Sequence, residues 1–176
     1  LERSIKVALQ QPSSIKQKME KMLMEQEKDE VKGQLFRRSK HANVHKNLFF
    51  GLAYLHAILE GRKKYGTLGW NLPYKFEYSD FEVSRKQLTE IMKHCSGDYA
   101  ATLEVLKYFY AHINYAGKIQ RVEDQVTLNA VVEDLFNDTV TLAPDLAADL
   151  TQSHYGFPNE LADFYQFCDR NIPESD

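Results

Sequence analysis

The stretch NVHKNLFFGLAYLHAILEGRKK, residues 43–64, decides the fold. Val44, Leu48, Leu52, Leu55 and Leu59 recur at spacings of three and four, which lays them along one helical face. Phe49, Tyr54, His56 and Ile58 widen that stripe, so the helix has to be mostly buried. It needs partners, and the flanking sequence supplies them. Upstream of it, Ile15, Met19, Met22 and Leu23 form one face of a helix starting at Ser14. Lys16, Lys18, Glu20, Lys21 and Glu25 form the other, and the polar residues after Met24 predict fraying. Downstream, Ser79-Asp80-Phe81-Glu82 has capping-box spacing and opens a helix to about Cys95. Gly97-Asp98 closes it and caps the next, in which Ala101, Val105, Leu106, Phe109 and Tyr110 carry the period to about Ile113. Val122 to Phe136 repeats the pattern through Val126, Val131, Val132 and Leu135, and a short helix is predicted over residues 159–168, closed by Asn171-Ile172-Pro173. The expected fold class is all-α, an irregular helical bundle. Residues 1–138 form its body, and residues 139–176 form a linker and short helix leading out of it.

One segment breaks the helical pattern. Tyr65 to Tyr78 holds Gly66, Gly69, Trp70, Pro73 and four further rings without helical spacing. Aromatic side chains bury on the order of 150–250 Å² each, too much apolar surface for a solvated loop, so the segment is expected to lie ordered across the bundle. Trp70, the single tryptophan, is its expected packing anchor.

Charge and cysteine usage exclude several classes. The net charge is -3, with no basic excess of the kind that marks a nucleic-acid binder. Basic and acidic residues are segregated: eleven Lys/Arg against six Asp/Glu in residues 1–46, and twelve acidic residues against Arg170 alone from Glu123 onward. That polarity suits docking to other protein surfaces. No apolar run reaches the roughly 20 residues a membrane helix needs. Cys95 and Cys168 stand far apart, without metal-ligand spacing, and are read as reduced and structural. The absence of an initial methionine fits a piece of a longer polypeptide.

Catalytic patterns are missing. There is no GxxxxGK[ST] run to cradle phosphate, and the basic residues of Gly61-Arg62-Lys63-Lys64-Tyr65-Gly66 close a helix, where they complement its negative end. His41 and His45 have i, i+4 spacing but no glutamate between them and no third ligand, so both are read as surface histidines. His56, on the apolar face, is read as a hydrogen-bonded core histidine. Asp80 and Glu82 fit a helix start. These residues leave two readings open: a part of a larger machine, or a free-standing helical interaction module.

The run from Phe50 to Tyr74, FGLAYLHAILEGRKKYGTLGWNLPY, resembles the dynein heavy-chain signature FGLxxFHAxxxERRKFGPLGWNxPYxF. Ser79-Asp80-Phe81 with Gln87-Leu88 is similar to that family's SDLxxSxxQL. Asn114-Tyr115-Ala116-Gly117-Lys118-Ile119 is similar to NYGGRV, with Asp124 on the aspartate that follows. Leu1 to Lys6 with Gln11-Pro12 resembles the stretch LQNSIK…PP. The chain departs from the pattern at Gly61, Thr67, Ala116 and Gln120-Arg121. The resemblance implies an AAA+ lid, that of the sixth module, followed by the start of the C-terminal region, with wording closest to axonemal inner-arm chains. It implies a structural and relay element with no catalytic, cofactor or metal residues, set in an ATP-driven microtubule motor whose other modules bind ATP and magnesium. Its implied partners are the neighbouring AAA+ modules and C-terminal region of the same heavy chain and, through the parent, the microtubule and the intermediate and light chains. No nucleic acid or membrane is implied, and the place is the cytoskeleton, in a ciliary or flagellar axoneme. The residues expected to hold the structure or its interfaces are His56, Arg62, Lys63, Tyr65, Gly69, Trp70, Asn71, Pro73, Tyr74, Asn114, Tyr115 and Gly117.

Overall fold

A computed structural model describes residues 14–33, 42–95 and 97–137, with side chains described outside 26–33 and 42–43. The expected helix over 159–168, His41, Cys168 and the 138/139 boundary lie outside the described residues. Within them the fold is all-α, with five α-helices and no strand. These are α1 (Ile15–Gly33), α2 (Ala42–Gly61), α3 (Tyr78–His94), α4 (Tyr99–Tyr108) and α5 (Val122–Leu135). A 3₁₀ turn (Arg62–Leu68) follows α2, and a π-helical turn (Phe109–Asn114) with a short 3₁₀ turn (Ala116–Lys118) joins α4 to α5. No helix among the described residues is long and apolar enough to cross a membrane.

Helix α2 is the hub, touching α1, α3, α5 and the 3₁₀ turn. Leu48, Leu52, Leu55 and Leu59 are buried as the periodicity requires, together with Phe49, Phe50, Ala53 and Ala57. Gly51 faces Phe136, whose ring would lie 3.5 Å from an added Cβ, so the end of α5 closes directly onto the α2 backbone.

Several expectations are corrected. Helix α1 does not fray at Met24 but runs to Gly33, because Gln, Glu and Lys are strong helix formers even without an apolar stripe. Lys16 and Lys18, assigned to the solvent face, are buried. Lys18 reaches Glu60 of α2 at 3.1 Å, a pairing that only the approach of the two helices creates. His45 is no surface residue: it is 4% exposed. It continues the α2 stripe one turn ahead of Leu48 and Phe49, and burial lowers its pKa to about 4.

The start of α3 also shifts. The N-cap is Glu77, not Ser79, and its backbone N–H donates to Asp80 Oδ2 at 2.8 Å, so the carboxylate that reaches back belongs to Asp80. Asp98 caps α4 as expected, accepting from the Ala101 N–H at 3.0 Å, after Gly97 turns the chain at φ +103°. The buried stripe there is Leu103, Leu106 and Tyr110, while Val105 is exposed. In α5 the buried face runs through Asp124, Leu128, Val132 and Leu135, leaving Val126 63% exposed. The buried carboxylate of Asp124 sets that rotation.

Candidate functional site

The aromatic segment is held at both ends by backbone groups of other elements. After α2 ends at Gly61, the chain turns at Gly66 (φ +54°, ψ -131°), and the N–H groups of Gly69 and Trp70 both donate to the Gly66 carbonyl, at 3.0 and 2.8 Å. Arg62 folds back: its Nε and Nη2 donate to the Gly69 carbonyl at 3.0 and 2.7 Å, and its guanidinium lies 5.0 Å from the Trp70 ring. The basic residue expected to complement the end of α2 therefore clamps the turn itself. Gly69 is required by close approach, since an added Cβ would sit 1.9 Å from the Arg62 carbonyl oxygen. The Trp70 indole N–H donates to the Leu59 carbonyl at 2.9 Å, satisfying one of the acceptors a helix end leaves open. Its ring, 3% exposed, packs edge-on against Tyr74 and beside Phe76.

From this anchor the segment reaches α5. Asp124, in the first turn of α5 and 2% exposed, accepts from the Asn71 N–H at 3.1 and 3.2 Å, from Asn71 Nδ2 at 2.9 Å and from the Tyr74 hydroxyl at 2.9 Å. The Tyr74 oxygen in turn accepts from the Arg121 N–H at 3.1 Å. A buried carboxylate persists only when its oxygens are satisfied, and here the donors and the positive helix end do so together.

A second cluster ties the 114–118 turn to α2 and α3. Asn114 Nδ2 donates to Ser84 Oγ (2.9 Å) and Gln87 Oε1 (2.7 Å). The Tyr115 hydroxyl meets His56 Nδ1 at 3.2 Å. Lys118 pairs with Asp80 at 2.6 Å and donates to the Lys75 carbonyl at 3.4 Å. The π-helical turn supplies the geometry: Tyr115 N–H donates five residues back, to the Tyr110 carbonyl at 3.4 Å. The wider turn keeps Tyr110 and Ala111 buried while Asn114 and Tyr115 swing toward α3 and α2. Rings connect the two clusters, Phe76 standing 5.8 Å from both Trp70 and Tyr115, and His56 5.6 Å from Phe81.

Burial dominates the titration of this region. It lowers the pKa of His56 to about 4, the opposing pull of Glu60 and Asp80 being smaller, and raises the Tyr115 hydroxyl far above its usual value. Such a pair exchanges no proton near neutral pH. No group of three or more His, Cys, Asp and Glu placed to hold a metal occurs among the described residues. Together these contacts lock three helix ends and two loops to one another.

Of the residues singled out from sequence, His56, Arg62, Gly69, Trp70, Asn71, Tyr74, Asn114 and Tyr115 fall in these linked clusters. Lys63, Tyr65, Pro73 and Gly117 lie exposed around them. Asp124 was the residue missed as a site member, along with Ser84 and Lys118. Its signals were an acidic side chain in a helix first turn and its place on the resemblance's trailing aspartate.

Residues 45–176 match the family model described as the dynein heavy chain AAA lid domain. The chain belongs to that family. The lid is similar to dynein axonemal heavy chain 2 of Homo sapiens, 34% identical over 145 residues, or 82% of this chain and 3% of that protein. It is 32% identical to dynein axonemal heavy chain 2 of Mus musculus over 156 residues, covering 88% of this chain and 3% of that one. The dynein-1-beta heavy chain of the flagellar inner arm I1 complex of Chlamydomonas reinhardtii is 26% identical over the same length and shares. The lid thus spans a few per cent of the length of these relatives.

Proposed function

We propose that this chain is a non-catalytic structural and relay lid of an axonemal dynein heavy chain, seated at the sixth AAA+ module of an ATP-driven microtubule motor. The observation that carries the reading is the Asp124 junction. One buried carboxylate joins the α5 N-terminus to the segment whose tryptophan closes the α2 C-terminus. A body joined this way moves as a unit and passes displacement from one face to another. Its exposed apolar side chains, Leu68 at 89% and Tyr65 at 62% on the turn, Val122 at 69% and Val126 at 63% on α5, offer surfaces for neighbouring modules of the same heavy chain. The names of the relatives support an axonemal, ciliary or flagellar setting. ATP and magnesium act in other modules, and the microtubule and the intermediate and light chains are reached through the parent.

Two measurements test this. Calorimetric titration of the chain with magnesium and ATP should give no saturable heat, and saturable binding would end the non-catalytic reading. In the parent heavy chain, Asp124→Ala should leave ATP turnover running while its coupling to microtubule binding falls. Unchanged coupling in a variant whose lid is demonstrably loosened would remove the relay role.

A further inference from the structure

A cleft of about 690 Å³ opens between α1, the C-terminal end of α2, the 3₁₀ turn and the Tyr74–Tyr78 segment. Met22, Phe76 and Tyr78 give it an apolar lining. Lys18, Lys21, Lys63, Lys64 and Lys75 reach it against Glu60 and Glu77, so five positive charges meet two negative ones for a net +3. Lys18 is committed to Glu60 and Lys75 to Glu77, each at 3.1 Å. Lys21, Lys63 and Lys64 are exposed and have no carboxylate partner among the described residues; Lys21 lies 5.9 Å from the Tyr78 ring.

A second observation comes from the cleft wall. His56 is 4% exposed and lines the cleft. Its Nδ1 is taken by the Tyr115 hydroxyl, while its Nε2 has no partner among the described residues. The rim of exposed lysines, in net excess over Glu60 and Glu77, favours an anionic occupant.

We propose that this cleft docks a carboxylate-rich segment of a partner polypeptide, its acids meeting Lys63, Lys64 and Lys21, and aliphatic side chains between them resting on Met22 and Phe76. The apolar lining selects a peptide over a bare polyanion. The chain as a whole is negative, at -3, so attraction to the site is local and falls with salt.

The test uses the full 176-residue chain and a fluorescein-labelled peptide of alternating glutamate and leucine, followed by anisotropy. Saturable binding is expected, weakening by at least about tenfold in the Lys63→Glu/Lys64→Glu variant and on raising salt, because charge pairing carries the encounter. Both lysines are exposed, and unchanged circular dichroism checks the fold of the variant. Lys86→Glu/Lys93→Glu, on α3, should bind as the parent does. The proposal is overturned by absent saturation, by equal loss in the two variants, or by single-stranded DNA binding as tightly as the peptide. It is also overturned if a zero-length carboxyl-to-amine cross-linker joins Lys63 or Lys64 to an acidic residue of 138–176 with no peptide present, since the chain would then fill its own cleft.

Discussion

Replacing Asp124 with asparagine changes one oxygen into an amide nitrogen and leaves the shape alone. The carboxylate accepts from three groups, the Asn71 N–H, Asn71 Nδ2 and the Tyr74 hydroxyl. An asparagine oxygen turned toward Tyr74 still reaches the Asn71 N–H, and its NH₂ group then faces the Asn71 side-chain amide, which can turn over to accept from it. The hydrogen bonds from Asn71 and Tyr74 lose their charged acceptor, which costs about 1–2 kcal/mol. Removing the negative charge from the first turn of α5 costs roughly 0.5–1 kcal/mol more. The expected loss is therefore about 1.5–3 kcal/mol, a large share of the roughly 5–15 kcal/mol that holds a typical domain. A urea titration followed by the emission of Trp70, the sole tryptophan, reports on the segment that Asp124 holds. A shift in stability below about 0.5 kcal/mol, with Trp70 emission unchanged in the native state, would refute the claim that this carboxylate joins the two elements.

Four further outcomes follow from the same structure. Trp70→Ala should cost about 3–5 kcal/mol by circular dichroism in denaturant, and a loss under about 1 kcal/mol would place the indole outside the core. Gly69→Ala should destabilise by about 2 kcal/mol or more, because its Cβ meets the Arg62 carbonyl at 1.9 Å. A neutral result in a melting experiment would mean that the turn relaxes freely. Tyr110 is fully buried and its hydroxyl has no hydrogen-bond partner among the described residues, so Tyr110→Phe should be neutral or stabilising by about 1 kcal/mol. A clear loss of stability would reveal a partner for that oxygen. His45 and His56 have folded pKa values of about 4 against 6.5 in the unfolded chain. Below pH 6.5 the unfolded chain takes up protons the folded one refuses, so their neutral-form stability is full above 6.5 and drains as pH falls toward 4. Each site should cost about 2 kcal/mol at pH 5 relative to neutral pH. Urea midpoints across that range should show the slope, and His56→Gln should remove about half of it.

The helix stripes were legible wherever apolar spacing was strong. The α2 stripe Leu48, Leu52, Leu55 and Leu59 is buried as read, and Trp70 packs as expected. The reading held for Asp98 and His56 but failed at other charged and titratable positions. Lys18 is hidden because Glu60 comes to meet it, His45 because it extends the α2 stripe, and the α3 cap moved to Glu77 because Asp80 was the carboxylate in reach. Each of these depends on what another element brings, which spacing along one helix does not encode.

Periodicity and ring content by themselves determined an all-helical body with an ordered aromatic segment, since apolar area and helix geometry are local properties of the chain. Tertiary structure alone decided that Asp124 is buried, that Arg62 turns back onto Gly69, and that His56 Nδ1 meets the Tyr115 hydroxyl. Partners separated by fifty or more residues, as Asp124 and Asn71 are, are chosen by packing, because a buried charge is tolerable only where the folded chain delivers its donors.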